Sequence, residues 1–322
     1  MPVLEIRGLR VGFGATEILR GVDLAVDSGR TLGIVGESGC GKSMTGLAIM
    51  GLLPVGGKIT SGSILFGGAD LARVGERRLR KLRGGDIAMV FQDPFTSLNP
   101  SMRIADQIAE AILLHRDVSV REARELAVKQ LAEVSVPAPA SAARKFPHQL
   151  SGGQRQRVMV AMAFACRPKV LIADEPTTAL DVTLQAQILA LLKELQDQHG
   201  TAVILISHDI GVIASVSDAI AVFYAGKVVE EGLAADVLKK PTHPYTIGLL
   251  ASMPGGSERL YSIPGQPPDF RTLRSACSFR ERCPYKHAKS EVEPELLTIS
   301  DTHKAACWLV EDAVEAAGMK AL

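Results

Sequence analysis

A glycine-rich stretch near residue 40 has the residue types of a phosphate-binding loop, and it fits the pattern G-x-x-x-x-G-K-[ST] without a mismatch. Glycines let the backbone curl so that several N–H groups point at one phosphate, and a following helix adds the positive end of its dipole. The lysine of such a loop can reach the β- and γ-phosphates, and the serine hydroxyl can ligate Mg²⁺. The residues are Gly36, Glu37, Ser38, Gly39, Cys40, Gly41, Lys42 and Ser43.

A second acidic element stands at the end of the apolar stretch 170–173, which has the composition of a buried strand. The ends of parallel strands face the ligand crevice of a sheet, and Asp174 and Glu175 would lie there. We expect Asp174 to hold the Mg²⁺ shell and Glu175 to polarise an attacking water. The glycine loop alone leaves kinases, GTPases and transport ATPases open, and these two acids narrow the choice.

A second anion-binding surface is predicted just after Leu150. A serine in the position of a helix N-cap is followed by two glycines and a long helical pattern, so that a hydroxyl, backbone N–H groups and a helix N-terminus come together. One nucleotide needs only one glycine-loop cradle, and a kinase does not account for a second. The residues are Ser151, Gly152, Gly153 and Gln154.

These motifs, in this order, resemble the ATP-binding cassettes of ABC transporters over residues 1 to about 250. The resemblance implies that two cassettes meet head to tail and that the signature Ser151–Gln154 acts in trans on the ATP of the other subunit. It also implies roles for four further elements. They are Gln92 as a link between Mg²⁺, water and the helical subdomain, Ala179-Leu180-Asp181 as the loop that crosses the interface, His208 as the γ-phosphate sensor, and Phe13 as the aromatic that stacks on adenine.

The same resemblance implies Mg²⁺ ligation through Ser43, Gln92 and Asp174, and catalysis by Glu175, Gln92 and His208. Taken alone, each of these positions could have a purely structural role. A glutamine or histidine at a strand end is more often structural, and an aromatic on a strand more often faces the core. The order of the motifs favours the functional interpretation, with ATP and Mg²⁺ as cofactors.

The expected fold class is α/β, a P-loop NTPase cassette with an N-terminal antiparallel β subdomain, a helical subdomain and a small C-terminal appendage. Strand patterns alternate with helices except between residues 94 and 165, where helical periodicity takes over. From residue 241 onward proline is frequent and regular patterns are weak. We therefore predict an ATP-binding core at 1–93 and 166–240, a helical subdomain at 94–165, and an appendage at 241–322.

The composition is that of an ordinary globular protein, with 47% hydrophobic and 22% charged residues and a formal charge of +1. This balance demands neither nucleic acid nor an anionic membrane as a partner. No apolar run approaches the roughly 20 residues of a spanning helix, and the first residues lack a signal pattern. The expected location is peripheral, on the cytoplasmic face of the inner membrane.

Residues 89–100 and 243–250 resemble the dipeptide/oligopeptide branch of bacterial importers, which also includes nickel and glutathione systems. The resemblance implies a second, related ATPase as a heterodimer partner, two transmembrane permease subunits and an extracytoplasmic substrate-binding protein. The alternative from another class is a soluble ABC ATPase without a transporter. Such proteins usually carry long coiled-coil insertions or two cassettes in one chain, and neither pattern is found here.

The appendage contains Cys277, Cys283 and Cys307. Many members of the family carry a further cysteine where this sequence has Ser290. Four thiolates would suit a 4Fe–4S cluster, and three thiolates completed by His287 or His303 could hold a cluster or Zn²⁺. Three reduced thiols without a metal are the third alternative.

Overall fold

The computed structural model describes residues 2–178, 180–253, 262–273 and 275–310. The chain divides into two units. The first comprises the described residues up to Val3, 26–30 and 74–204, and the second comprises 4–25, 31–73 and the described residues from 205 onward. The three-part domain division stated above stays a prediction.

The strands alternate with helices along most of the chain. In chain order they are β1 (Leu4–Phe13), β2 (Thr16–Val26), β3 (Thr31–Val35), β4 (Gly57–Phe66), β5 (Ala69–Asp70), β6 (Ile87–Val90), β7 (Val170–Asp174), β8 (Ala202–Ser207), β9 (Ala219–Tyr224), β10 (Lys227–Leu233), β11 (Leu297–Ser300) and β12 (His303–Ala305).

The helices follow one another without an intervening strand between residues 94 and 164, as the periodicity predicts. In chain order they are α1 (Lys42–Met50), α2 (Glu76–Leu82), α3 (Pro94–Ser97), α4 (Ile104–Leu113), α5 (Val120–Glu133), α6 (Pro139–Ala142), α7 (Gly152–Phe164), α8 (Val182–His199), α9 (Ile210–Val216), α10 (Ala234–Lys239) and α11 (Pro244–Ala251). Short 3₁₀ turns occur at Pro147–Gln149, Arg280–Arg282 and Ala288–Glu291.

The N-terminal strands form an antiparallel sheet in the order β2-β1-β4-β5, which confirms the antiparallel pattern expected there. The sequence predicts two short strands, at 3–7 and 11–13, where the structure has the single strand β1. The reason is an irregularity between Arg7 and Arg10 in the register with β4. Gly8 lies in this stretch with φ +54° and donates its N–H to Asp23 Oδ1 at 2.8 Å, so the strand bends without ending.

Parallel pairing occurs in both units, between β3 and β9 in the second and between β6 and β7 in the first. All residues of β3, β7 and β8 are buried, as expected for strands that are covered on both faces. Strands β9 and β10 form the predicted hairpin around Ala225 and Gly226. These features confirm the α/β class.

Helix α1 ends earlier than predicted. The apolar pattern continues to Leu53, but the helix stops at Met50 because Gly51 adopts the left-handed conformation, with φ +62°. The N–H of Gly51 caps the carbonyl of Ala48, which is a common way to end a helix.

The appendage is more regular than its sequence indicates. Strand β12 pairs antiparallel with β10 and β11 pairs with β12, so the end of the chain extends the sheet of the second unit. Sequence analysis misses β11 and β12 because strands of four and three residues show no readable alternation.

A buried carboxylate ties the appendage to β10. Glu230 is fully buried and accepts the N–H groups of Thr242 at 2.7 Å and His243 at 2.9 Å. Its other near neighbour is Nε2 of His303, on β12, at 2.8 Å. One side chain therefore contacts two other segments, 12 to 13 and 73 residues away along the chain.

We predict that Glu230→Ala lowers the free energy of unfolding by about 2–4 kcal/mol, because it leaves buried donors without an acceptor. The neighbouring substitution Glu231→Ala removes only a partly exposed pair with Lys304 and is expected to change the free energy of unfolding by about 0–1 kcal/mol. Urea unfolding followed by circular dichroism measures both. Equal losses in the two variants would contradict the role assigned to Glu230.

Candidate functional site

The glycine loop lies between β3 and α1, as predicted, and its curl requires glycine at Gly36. A Cβ at this position would overlap the carbonyl oxygen of Phe223 on β9 and crowd the Cys40 sulfur. Gly41, at the N-cap of α1, has φ +108°, a left-handed conformation that side chains disfavour. The two glycines therefore allow the chain to turn sharply from a buried strand into a helix.

Lys42 is held inside this curl. It is only 4% exposed, and its Nζ donates to the carbonyl oxygens of Gly36 at 2.7 Å and Glu37 at 2.9 Å. The Cys40 sulfur lies 3.8 Å from the same ammonium, and burial raises the pKa of this thiol despite that neighbouring charge. The ammonium is thus fixed by loop carbonyls at the entrance of a helix whose first N–H groups have no intrahelical partner.

Glu37 is fixed by residues that sequence reasoning missed. Its N–H donates to the Tyr245 hydroxyl at 2.8 Å, and its carboxylate accepts from both terminal nitrogens of Arg282 at 2.6 and 2.8 Å. The partners are 208 and 245 residues away along the chain. No local pattern could have indicated them.

The remaining predicted residues of the second unit lie at the ends of strands. Phe13 ends β1, is half-buried and lies opposite Gly57 in the register with β4. A Cβ on Gly57 would meet the Phe13 ring at 2.6 Å, so the ring lies directly against this glycine. His208 follows the last residue of β8 and is exposed.

In the first unit, Gln92 and Glu175 come together at the ends of neighbouring strands. Asp174 is the buried last residue of β7, and Glu175 follows it with φ +46°. Nε2 of Gln92 donates to Oε2 of Glu175 at 3.0 Å, and the Thr178 hydroxyl donates to the same oxygen at 2.8 Å. Two donors thus orient the carboxylate that the sequence assigns to water activation, and Thr178 is a residue that sequence reasoning missed.

The predicted N-cap of α7 is confirmed. Ser151 Oγ accepts the N–H of Gln154 at 3.3 Å, and the Gln154 side chain accepts the N–H of Ser151 at 3.1 Å, which closes a reciprocal capping box. The two glycines differ in the space around them. A Cβ added at Gly153 would meet Leu184 at 3.2 Å, whereas a Cβ added at Gly152 would meet nothing within 4 Å.

The predicted interface loop is partly described. Asp181 is the N-cap of α8, and its carboxylate accepts the N–H of Leu184 at 2.9 Å. Ala179 lies outside the described residues.

The cysteines of the appendage do not form a metal site among the residues that the structure describes, where no group of three or more His, Cys, Asp or Glu side chains could hold a metal ion. Burial raises the pKa of Cys277 to about 11, and the neighbouring Cys307 and Cys283 contribute to the rise. The N–H of Cys277 donates to the Ser290 carbonyl at 3.1 Å, and Cys283 accepts the N–H of Tyr285 at 3.4 Å.

Nε2 of His303 lies 2.8 Å from the Glu230 carboxylate and is engaged there. Burial raises the pKa of Cys283 and Cys307 as well, so the described arrangement of thiols does not fit a preassembled cluster or zinc site. We derive no step of the reaction through such a group.

A buried strand, a curled glycine loop with a buried lysine and a following helix are the parts of a P-loop fold. The chain matches the family description "ABC transporter" over residues 19–178, and "Oligopeptide/dipeptide transporter, C-terminal region" over residues 229–289. None of the described helices is long and apolar enough to cross a membrane.

Curated relatives match over nearly the whole chain. The dipeptide transport ATP-binding protein DppD of Bacillus subtilis is 47% identical over 97% of this chain and 96% of its own length. The oligopeptide transport ATP-binding protein OppD of Escherichia coli is 45% identical over 95% of this chain and 93% of its own length. The chain belongs to the ATP-binding proteins of the ABC transporter family and is an ATPase.

Solved structures show the same cassette. A dimeric structure of MJ0796, a bacterial ABC transporter cassette, superimposes with a TM-score of 0.64 at 30% identity and covers 72% of this chain and 98% of that one. The structure of cbiO1 from Clostridium perfringens, part of an ABC transporter complex, gives a TM-score of 0.65 at 28% identity over 74% of this chain and 91% of that one. These similarities confirm the predicted fold class.

We predict that Thr178→Val, which keeps the shape but removes the hydroxyl donor to Glu175, lowers the kcat of ATP hydrolysis about 3- to 10-fold with an unchanged KM for ATP. Thr178→Ser retains a hydroxyl and is expected to keep most of the activity. Steady-state phosphate release measures both. A Thr178→Val variant with the wild-type kcat would remove Thr178 from the site.

Proposed function

We propose that this chain binds and hydrolyses ATP to energise an importer of dipeptides and oligopeptides. The observation that supports hydrolysis is the orientation of the acid after β7: Gln92 and Thr178 both donate to Glu175. Peptide as the cargo is supported by the relatives, which are named for dipeptide and oligopeptide transport and align with 95% or more of this chain.

The residues of the glycine loop and those at the strand ends have different roles in ATP hydrolysis. Lys42 neutralises charge on the β- and γ-phosphates, and the N–H groups at the start of α1 donate to phosphate oxygens. Ser43, Asp174 and Gln92 offer oxygen atoms, the ligand type that suits Mg²⁺, and the metal supplies charge neutralisation at the phosphates when it is bound. Glu175 accepts the proton of the attacking water, and His208 contacts the γ-phosphate.

The signature completes the site from a second cassette. Ser151 and the start of α7 offer a hydroxyl and a helix N-terminus, and the open space at Gly152 leaves room for a phosphate to approach the backbone. Asp181 and its loop lie at the same interface. Two solved structures of one similar cassette, MJ0796, are described as dimeric, one with ADP and Pi bound, which supports this arrangement.

The complete importer contains four membrane-associated subunits and one extracytoplasmic protein. A second, related ATPase forms the heterodimer with this chain, and two transmembrane permease subunits receive the motion of the helical subdomains. A substrate-binding protein delivers the cargo outside the membrane. The chain itself is peripheral, on the cytoplasmic face of the inner membrane.

A separate hypothesis concerns the cysteines of the appendage: Cys277, Cys283 and Cys307 would ligate a 4Fe–4S cluster. Cluster binding would require the protonated thiols to ionise and gather around the metal. Iron analysis and an absorption spectrum of anaerobically purified protein test it. Stoichiometric iron with a visible absorption band supports the cluster, and a colourless, metal-free sample removes it.

We predict that Glu175→Gln lowers the ATPase turnover about 100- to 1,000-fold because the amide cannot accept the proton of the attacking water. The variant is expected to retain ATP and to trap an ATP-bound dimer with the partner ATPase, measured by phosphate release and by light scattering. Glu194→Gln, on exposed helix surface, removes the same charge and serves as the control. Wild-type turnover in Glu175→Gln would contradict the assignment.

Peptide import itself is tested with the assembled transporter in vesicles. Co-purification with two polytopic subunits and ATP-dependent uptake of a labelled dipeptide support the proposal. Uptake of nickel or glutathione without peptide uptake would show that the cargo is not peptide. A chain that assembles with no membrane subunit would favour a soluble ABC ATPase.

A further inference from the structure

The nucleotide loop is tied to the C-terminal appendage through an ion pair between buried Arg282 and partly exposed Glu37. Arg282 lies in the 3₁₀ turn Arg280–Arg282, and its side chain is 4% exposed. Its two terminal nitrogens each donate to one oxygen of the Glu37 carboxylate, at 2.6 and 2.8 Å. This two-point geometry is the strongest arrangement available to a guanidinium and a carboxylate.

The rest of the guanidinium is also engaged, so its orientation is fixed. Nε donates to the Pro264 carbonyl at 2.9 Å, and the group lies 5.8 Å from the ring centroid of Tyr224 and 5.9 Å from that of Phe279. Pairing with Glu37 is the main cause that raises the pKa of Arg282, which is therefore charged at every physiological pH.

Tyr245 adds a second contact to the same loop residue. Its hydroxyl accepts the Glu37 N–H at 2.8 Å, and its ring is fully buried, 4.7 Å from Tyr224 and 5.5 Å from Phe279 between centroids. The N–H of Glu37 thus points towards the aromatic cluster, and Arg282 and Tyr245 both belong to chain that follows the hairpin of β9 and β10.

Glu37 connects these contacts to the lysine of the loop. Its carbonyl oxygen accepts from Lys42 Nζ at 2.9 Å, while its N–H and carboxylate are held by Tyr245 and Arg282. The peptide units on both sides of Glu37 are therefore restrained, and both contact the Lys42 ammonium, through the carbonyl oxygens of Gly36 and Glu37. A loop bent this sharply keeps its shape only if its surroundings hold it.

We propose that Arg282 is a positioning residue for ATP binding: through Glu37 it holds the glycine loop and Lys42 in the conformation that receives the phosphates. The appendage is then part of the nucleotide site and more than an attachment to the cassette. The proposal rests on nucleotide binding at the loop and is independent of which cargo is transported.

If the pair of Arg282 and Glu37 were only a cross-link between two parts of the second unit, its loss would have a different effect from the loss of a positioning residue. Loss of such a cross-link lowers the stability of the protein and leaves the affinity of the folded fraction for ATP unchanged. A positioning role changes the affinity itself, because binding must then also order the loop.

The test is isothermal titration of the full chain with a non-hydrolysable ATP analogue and Mg²⁺. We expect Arg282→Gln to raise the Kd about tenfold, as expected for a residue that acts without touching the ligand. Arg282→Lys keeps the charge but loses the two-point geometry, and an increase of about threefold is expected. The wild-type titration distinguishes failure of nucleotide binding at the loop from failure of this proposal.

Two further variants separate the alternatives. The double variant Arg282→Gln with Glu37→Gln is expected to bind no more weakly than Arg282→Gln alone, because the pair acts as one unit. Arg280→Gln is the matched control, since Arg280 lies in the same turn but pairs with Glu291, and its Kd is expected to equal that of the wild type. A wild-type Kd in soluble Arg282→Lys or Arg282→Gln, or fully additive effects in the double variant, would overturn the proposal.

Discussion

The glycine loop depends on one constraint, the burial of the Lys42 ammonium inside a curl that requires glycine at Gly36. A charge this deeply buried needs several acceptors, and the carbonyls of Gly36 and Glu37 supply them at 2.7 and 2.9 Å. The carbonyls can converge because Gly36 approaches the backbone of β9 without a Cβ. Phosphate binding therefore follows from backbone geometry as much as from the lysine itself.

Hydrogen bonds also fix the residues around Glu175 in the first unit. Glu175 has a left-handed backbone, and its carboxylate receives donors from two different loops, Gln92 and Thr178. An acid that accepts a proton must keep its orientation when water and phosphate approach, and two donors on one oxygen restrain the carboxylate in this way. Strands place these residues, and side-chain hydrogen bonds give them their final orientation.

Motifs with local chemistry could be predicted from the sequence, whereas long-range partners could not. The loop 36–43, the cap at Ser151 and the acids after β7 all depend on neighbours within a few residues, so their spacing is readable. Arg282 and Tyr245 contact Glu37 from more than 200 residues away. The three-residue strand β12 is too short to show a readable alternation, and its pairing with β10 and the contact of its His303 with Glu230 are both long-range.

The central claim is that each ATP is held by the glycine loop of one cassette and the signature of another. A structure of the assembled ATPase pair with ATP and Mg²⁺ measures this directly, through the distance from Ser151 Oγ to the γ-phosphate bound at the opposing loop. The account predicts hydrogen-bonding distance, about 3 Å. A Ser151 that stays remote from every γ-phosphate in each assembled state would contradict it.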